Sequence, residues 1–426
     1  MATRLIRSTG GSLSVLESDG LIQARGVQYA TAERFAPPTP VAASSDVVDA
    51  TTRGPACPQL PSRLAFVTGP VIDGLAMNER CQVLSVTAPA DATGLPVMVW
   101  FHGGAFVSGS GESANYDPDD LVREGRVVVV RVSYRLGILG FLNLEDADDD
   151  NLGLQDQIAA LRWVQDNIAA FGGDARRVTV FGQSAGGYSA LALMMCPGTE
   201  TLFSRAILQS APLGLLGVDR TAMVTAMREA AVAHLGDAAP GSVDIDVLLQ
   251  AQVAALDAAA PFGMIGKMPF GPSMDQLPIS AATTSAASRV DIVVGYTRDD
   301  ALPFVMLDPR GARLWRLGRV GAAASSAAGR AVTRRMFGAP ALALAESWRA
   351  AGGRAHTYRV DWTPGPFGAC HCIELPLLLG SHETWSGAPM LGRTGVDDEL
   401  AVRVRAQWSA FAHGVVHEDL IPLSIP

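Results

Sequence analysis

Five short runs of the chain are apolar on both faces, and helical stretches separate them. Strands of this kind are typical of a parallel sheet that is covered by helices on each side. The five runs are residues 96–101, 127–133, 178–181, 206–208 and 290–294. The pattern predicts an α/β fold with a mostly parallel central sheet and helices on both faces.

Helical periodicity is clearest in residues 152–171, where apolar positions recur at intervals of three and four until a Gly-Gly pair interrupts them. A second such stretch covers 397–413. Between 211 and 288 the chain becomes alanine-rich and helical, which predicts a cap inserted over the sheet. Because no linker or repeat divides the chain, we expect residues 1–426 to form one domain with a reduced helical cap at 211–288.

Composition narrows the classes of protein that fit. The 426 residues are 48% hydrophobic and 18% charged, which is enough for a sizeable core, and the formal net charge of −9 argues against a nucleic-acid-binding surface. We identify no signal peptide, and Arg131 and Arg135 interrupt the longest candidate membrane span, 127–142. The Cys370–Cys372 stretch lacks a second ligand pair at zinc spacing. We expect a cytoplasmic protein that acts on a small molecule without a metal or cofactor.

The sequence Gly182-Gln183-Ser184-Ala185-Gly186 joins the third apolar run to a helical pattern. G-x-S-x-G between a strand and a helix is a nucleophile elbow, which holds a serine exposed at a helix N-terminus, where developing negative charge is favoured. Small residues are needed because the turn brings the strand and the helix close together. The chain has 44 glycines, so the motif gains its weight from the predicted strand and helix around it.

A second glycine loop, His102-Gly103-Gly104-Ala105, follows the first apolar run. Backbone N–H groups are the usual donors to the oxyanion of acyl transfer, and glycines allow a loop to turn its amides into a site. We interpret Gly103, Gly104, Ala105 and Ala185, the residue after the elbow serine, as an oxyanion hole. A tight turn after a strand is the simpler alternative. The presence of both motifs in the expected order favours a site for acyl transfer.

These motifs and several others resemble the type-B carboxylesterase family, which includes bacterial p-nitrobenzyl esterases and the cholinesterases. The matching segments run almost end to end: 26–30, 34–35, 54–58, 102–106, 133–141, 151–157, 171–174, 182–187 and 209–210. The resemblance implies an α/β-hydrolase fold and a serine carboxylic-ester hydrolase with Ser184 as the nucleophile. It also implies an acyl-enzyme intermediate and a triad in the order serine, acid, histidine.

The resemblance identifies His371 as the general base, because residues 368–376 match the family loop in which an acid follows the histidine three residues later. The family places its triad acid, usually glutamate, in a Thr-Arg-Asp-Glu-Gly stretch. This chain has Thr-Arg-Asp-Asp-Ala at 297–301, so Asp300 takes the glutamate position and Asp299 is the competitor. An aspartate can orient the imidazole, although its side chain is one methylene shorter.

Other departures from the family pattern bear on the substrate. Gln183 replaces the glutamate that precedes the nucleophile in cholinesterases, which weakens a choline-ester reading. Cys57 and Cys81 align with a disulfide of secreted relatives, and the sequence leaves their pairing open. Two alternatives to ester hydrolysis also stay open. One is a catalytically inactive scaffold or adhesion relative, which only the Asp300 substitution favours. The other is the same chemistry on amide, carbamate or polyester bonds.

Overall fold

The computed structural model describes residues 2–145, 151–273, 279–415 and 424–425. Twelve of the described strands form one large sheet, and β4 and β5 form a separate two-stranded sheet. The strands are β1 Ala2–Ser8, β2 Gly11–Ser18, β3 Leu21–Gln28, β4 Ala30–Thr31, β5 Thr39–Pro40, β6 Val47–Asp49, β7 Val83–Pro89, β8 Leu95–Phe101, β9 Val128–Val132, β10 Gly173–Gln183, β11 Arg205–Gln209, β12 Asp291–Thr297, β13 Ala355–Val360 and β14 Ser424–Ile425.

The large sheet has the order β1-β2-β3-β7-β9-β8-β10-β11-β12-β13-β14, and β6 pairs with β2. From β9 onward each neighbouring pair is parallel, whereas β1, β2, β3, β7 and β9 pair antiparallel in succession. The five apolar runs are β8 to β12, so the predicted parallel centre is confirmed. The sequence analysis missed the antiparallel strands β1 to β3, whose residues are mostly exposed or half-buried. It also missed the antiparallel strand β7, whose residues are all buried.

Helices cover both faces of the sheet, as predicted. Alternate strand residues enter two separate apolar clusters: Val97 and Val99 belong to one, and Met98 and Trp100 to the other. The described α-helices are α1 Ala65–Thr68, α2 Asp119–Gly125, α3 Gly137–Phe141, α4 Leu152–Asn167, α5 Ala185–Met195, α6 Thr221–Leu235, α7 Ile245–Ala259, α8 Ile279–Ala287, α9 Leu302–Leu307, α10 Pro309–Trp315, α11 Gly318–Thr333, α12 Ala339–Ala350, α13 Leu375–Leu378, α14 His382–Trp385 and α15 Asp398–His413. The described residues also form short 3-10 segments and one π-helical segment, Arg334–Gly338.

The predicted cap region, 211–288, lies between β11 and β12 and contains α6, α7 and α8, while its residues 274–278 are outside the described part. The segment Ile245–Phe262, which includes α7, reaches the length and mean hydropathy (1.2) of a membrane span. The sequence analysis did not consider this segment. One helix of this kind is weak evidence for a span, since core helices pass the same test, and Leu248 and Ala251 lie in the apolar core.

The five cysteines are free thiols. Cys57 and Cys81, whose pairing the sequence left open, are both fully buried. A hydrogen bond with Cys57, together with burial, raises the pKa of Cys81 well above its ordinary value. The Cys81 thiol is therefore protonated at neutral pH.

Candidate active site

The elbow serine lies between β10 and α5 in an unusual backbone conformation. Ser184 has φ 57° and ψ −118°, and its N–H donates to the carbonyl of Gln209 at 2.7 Å. A Cβ atom at Gly186 would lie 1.9 Å from the carbonyl oxygen of Phe101, so only glycine fits where α5 approaches the end of β8. Such a backbone costs about 1–3 kcal/mol and persists only where the surroundings hold it. The turn leaves Ser184 8% exposed at the first turn of a helix.

His371 and Asp300 contact each other directly. His371 lies in the loop between β13 and α13, and its Nδ1 is 2.5 Å from Oδ1 of Asp300, which follows β12. The other carboxylate oxygen accepts from Ser210 Oγ at 2.8 Å and from the Thr297 N–H at 2.9 Å. Both side chains are buried. Since a carboxylate only accepts, His371 donates through Nδ1, and its neutral form presents an unprotonated Nε2.

Asp299, the competing acid, faces a different set of partners. Its Oδ2 accepts from the backbone N–H of Ala369 at 3.2 Å and from Arg298 at 3.0 Å, and Arg330 approaches its Oδ1 at 3.4 Å. Its own N–H donates to the carbonyl of Ala369 at 2.9 Å. Asp299 therefore links the end of strand β12 to the loop that carries the histidine. Of the two aspartates, only Asp300 contacts the imidazole.

Gln183 reaches the other nitrogen of the imidazole. Gln183 Nε2 is 3.1 Å from His371 Nε2, and the amide donates because Nδ1 carries the imidazole proton. The sequence analysis treated Gln183 only as a replaced glutamate and missed this contact, which joins residues 188 positions apart. In the described structure the Nε2 atom is thus hydrogen-bonded by an amide that directly precedes the serine.

The predicted oxyanion loop lies against the elbow. A Cβ atom at Gly103 would be 3.3 Å from Cβ of Ser184, so Gly103 is the loop residue in direct proximity to the serine. Gly104 has φ 119°, and Ala105 follows at φ 56°. A Cβ atom at Gly104 would lie 1.9 Å from the carbonyl oxygen of Ser108, so the loop has room only for glycine there.

His102 holds the base of this loop. Its ring stacks on Tyr134 at a centroid distance of 4.5 Å, and the Tyr134 hydroxyl donates to the His102 carbonyl at 2.8 Å. Its Nδ1 is 2.8 Å from the Gly103 carbonyl oxygen, and burial lowers the pKa of His102 to about 4. The side chain is therefore neutral above that pH and supports the loop.

Two aromatic rings flank the imidazole, and the sequence contained no pattern that pointed to them. The ring of Phe304 on α9 lies 5.0 Å from that of His371, and the ring of Phe337 in the π-helical segment lies 5.4 Å from it. These distances are those of aromatic contact pairs. The two rings exclude water from one side of the histidine.

A second buried carboxyl group lies on the histidine loop. Glu374 is fully buried, and burial, with the nearby charge of Asp300, raises its pKa to about 8. Neither of its side-chain oxygens makes a hydrogen bond to a described residue, although the Gln209 amide is close enough to favour the ionised form. Glu374 is therefore protonated at neutral pH, and Asp300 is the acid that contacts the base.

Two thiols flank the histidine on the same loop. Cys370 and Cys372 lie in an apolar cluster, and burial raises the pKa of each. Over the ranges that the structure covers, no group of three or more His, Cys, Asp or Glu side chains has an arrangement that could hold a metal ion.

Comparison with known proteins extends these observations. The profile of the family described as "Carboxylesterase family" matches residues 9–314. The chain is 39% identical to a probable N-octanoylanthranilate hydrolase of Rhodococcus erythropolis, over 94% of this chain and 91% of the relative. It is 34% identical to a phenmedipham hydrolase of Pseudarthrobacter oxydans, over 99% and 93%. The solved structure of a thermophilic PNB esterase superimposes with a TM-score of 0.82 at 30% identity, over 97% of this chain and 92% of that one.

The matched profile includes the elbow, the glycine loop and Asp300, whereas His371 lies beyond its end. The relatives and the solved structure extend the similarity across the histidine loop to nearly the whole chain. Similarity on this scale places the sheet, the elbow and the loops in one known architecture, the α/β-hydrolase fold. The chain belongs to the carboxylesterase family and is a carboxylic ester hydrolase.

Proposed function

We propose that this protein hydrolyses esters through an acyl-enzyme intermediate, with Ser184 as nucleophile, His371 as general base and Asp300 as the acid that orients the base. The observation that carries the proposal is the 2.5 Å contact between His371 Nδ1 and Asp300 Oδ1, in a ring whose Nε2 lies 3.1 Å from Gln183, the residue before the strained elbow serine. A carboxylate on Nδ1 selects the tautomer whose Nε2 can accept a proton.

The reaction then proceeds in two halves. Ser184 Oγ attacks the ester carbonyl while its proton passes to His371 Nε2, and the resulting imidazolium is stabilised by Asp300. The imidazolium returns the proton to the departing alcohol, which leaves an acyl-serine. A water molecule activated by His371 releases the acid in the second half.

The negative charge of the tetrahedral intermediate requires donors. We propose the N–H groups of Gly104, Ala105 and Ala185, assisted by Gly103, for this role. Ala185 is the first residue of α5, so its N–H has no partner within the helix and the helix dipole favours an anion there. In the same proposal, the Gln183 amide releases Nε2 when the serine hydroxyl takes its place.

Replacement of the nucleophile tests this mechanism. Ser184→Ala should lower kcat/KM for p-nitrophenyl butyrate by about 10⁴-fold or more and abolish labelling by a fluorophosphonate probe. Ser288→Ala, at an exposed serine, is the matched control and should keep full activity and labelling. Substantial activity in Ser184→Ala would contradict the assignment. An unlabelled, inactive wild-type protein would instead favour the scaffold alternative.

A second candidate activity is cleavage of N-acyl bonds, and the name of the Rhodococcus relative favours it, since that protein is named for hydrolysis of an N-octanoyl compound. The same triad can serve, provided that His371 protonates a departing amine. A matched pair, an octanoyl ester and the corresponding octanoyl anilide, separates the two by kcat/KM. Comparable values would extend the function to amides, and a rate with the anilide at the level of Ser184→Ala would restrict it to esters.

Two further features stay predictions. We propose that residues 1–426 form one domain in which 211–288 act as a cap over the site, and that the protein is cytoplasmic. Deletion of the cap should change KM for long acyl esters more than for acetate esters, because a cap contacts the parts of a substrate far from the carbonyl.

A further inference from the structure

The charge of the chain is distributed very unevenly. Residues 308–335 contain seven arginines and one aspartate, a formal charge of +6, whereas the whole chain carries −9. These residues form α10, α11 and the start of the π-helical segment. One short stretch therefore concentrates positive charge on an otherwise acidic protein.

Most of these arginines have no acidic partner among the residues that the structure describes. Arg330 contacts Asp299 at 3.4 Å. The other arginines with described side chains are exposed and form no ion pair with any residue that the structure covers: Arg310, Arg313, Arg316, Arg334 and Arg335. Unpaired surface charge of one sign attracts a partner of the opposite sign.

Apolar side chains are exposed among these arginines. Leu317 is 69% exposed, Val320 is 82% exposed and Leu307, at the end of α9, is 41% exposed. Alanines at 323, 324, 327, 328 and 331 of α11 are also exposed. We call residues 302–335 the arginine surface. It presents an apolar helix face with arginines near both ends.

The arginine surface borders the candidate active site. Phe304 on α9 is one of the two rings in contact with His371, and the other, Phe337, lies two residues beyond the end of the surface. The Ala301 N–H, next to Asp300, donates to Thr333 Oγ1 at the end of α11 at 2.8 Å. Whatever binds this surface is therefore close to the candidate active site.

We propose that the arginine surface binds an anionic lipid membrane, with arginines on lipid phosphates and Leu317 and Val320 in the headgroup region. The arginines and the exposed apolar residues then both have partners, because an anionic bilayer offers negatively charged headgroups above an apolar layer. A second copy of the chain fits less well, since two antiparallel α11 helices would bring arginine ends together. A nucleic acid would satisfy the charge but leave the apolar residues in water.

Membrane binding would bring the site to esters dissolved in lipid. This consequence rests on the proposed ester hydrolysis. Membrane binding itself is independent of that proposal, because it is measured without any substrate. The experiment is co-sedimentation of the full chain with vesicles of phosphatidylcholine alone or mixed with phosphatidylglycerol. Binding is expected only with phosphatidylglycerol, and added salt should weaken it.

Two variants and one control test the surface. The triple variant Arg310→Gln, Arg313→Gln, Arg316→Gln should bind about a hundredfold more weakly, since each arginine near an anionic surface contributes a severalfold factor. Leu317→Ser with Val320→Ser should also weaken binding. The control Arg7→Gln, Arg393→Gln, Arg403→Gln removes the same charge at exposed positions elsewhere and should bind like the wild type. All three should keep wild-type activity on a soluble ester, which separates this test from that of the triad.

Three results would overturn the proposal. One is equal binding to neutral and anionic vesicles. Another is a loss of vesicle binding in the control variant as large as that in the triple variant of the surface. The third is a wild-type protein that is oligomeric in sedimentation velocity while the Leu317→Ser, Val320→Ser variant is monomeric. The surface would then be an interface between copies of this chain.

Discussion

The elbow region and the arginine surface are neighbours that the chain builds in opposite ways. In the elbow region, Gly104 and Gly186 tolerate no additional carbon, and Asp300 is enclosed by three donors. On the arginine surface, Leu317 and Val320 are mostly in solvent, and five of the arginines form no ion pair with a described residue. Packing against neighbouring segments restricts which residues fit in the elbow region. The arginine surface is exposed, so charged residues fit there without steric restriction. We therefore expect substitutions to act on chemistry in one region and on binding in the other.

The largest effect is expected from the acid of the triad. Asp300→Asn should lower kcat for p-nitrophenyl butyrate by about 10⁴-fold, because an amide at this position stabilises the wrong imidazole tautomer. Asp299→Asn keeps an acceptor for the Ala369 N–H and should retain kcat/KM within about tenfold while lowering the free energy of unfolding by about 1–3 kcal/mol. Steady-state kinetics and urea unfolding measure both. The reverse ranking of activities would make Asp299 the triad acid.

The second effect concerns the oxyanion loop. Gly104→Ala adds a carbon 1.9 Å from the Ser108 carbonyl oxygen at a φ of 119°, so the loop must move. Displacement of a backbone donor should lower kcat by about 10²–10³-fold with little change in KM. Gly387→Ala, where the added carbon meets no atom within 4 Å, is the control and should behave like the wild type. A wild-type kcat in Gly104→Ala would exclude this loop from the oxyanion hole.

A third effect follows from the raised pKa of Glu374, which moves from 4.5 to about 8 on folding. Between these values the unfolded chain releases the proton while the folded chain keeps it, so rising pH destabilises the wild type. Glu374→Gln is neutral in both states and should gain stability relative to the wild type by about 1.4 kcal/mol per pH unit over this interval. The difference should be constant above pH 8 and below 4.5.

Urea unfolding from pH 5 to pH 9 measures this difference. Glu229→Gln, at an exposed position of α6, should show no such trend. A stability difference between Glu374→Gln and the wild type that is independent of pH would show that Glu374 is ionised in the folded protein.

A smaller effect is expected at Gln183. A carboxylate in its place, close to His371 Nε2, would favour the imidazolium, so Gln183→Glu should reach half of its maximal kcat/KM at a pH about one unit higher than the wild type. Gln183→Met removes the amide without adding charge and should leave this midpoint much closer to that of the wild type. Equal pH profiles of kcat/KM for the wild type and Gln183→Glu would mean that the side chain at position 183 does not contact the imidazole in the active enzyme.

The smallest effect is expected on the arginine surface. Val320→Ser should change the free energy of unfolding by less than about 0.5 kcal/mol, because the side chain is already 82% exposed. Val99→Ser, at a fully buried position of β8, should cost at least about 2 kcal/mol. Similar losses for both variants would show that Val320 packs against the protein and is unavailable for binding a membrane.

The sequence by itself determined the parallel centre of the fold, because strands buried on both faces are continuously apolar and stand out from their surroundings. It also determined the positions of the elbow and of the glycine loop, since close approach of two backbones admits only the smallest residues. It missed β1 to β3 for the converse reason: half-exposed strands mix polar and apolar residues and resemble loops.

Only the tertiary structure decided which groups meet. Asp299 and Asp300 are adjacent and chemically identical, yet one fastens the loop and the other contacts His371. The amide of Gln183 and the rings of Phe304 and Phe337 come to the same histidine from distant positions in the chain. Hydrogen bonds and ring contacts depend on distances of a few ångströms between segments. Those distances are set by the packing of the whole molecule, and no local pattern of residues records them.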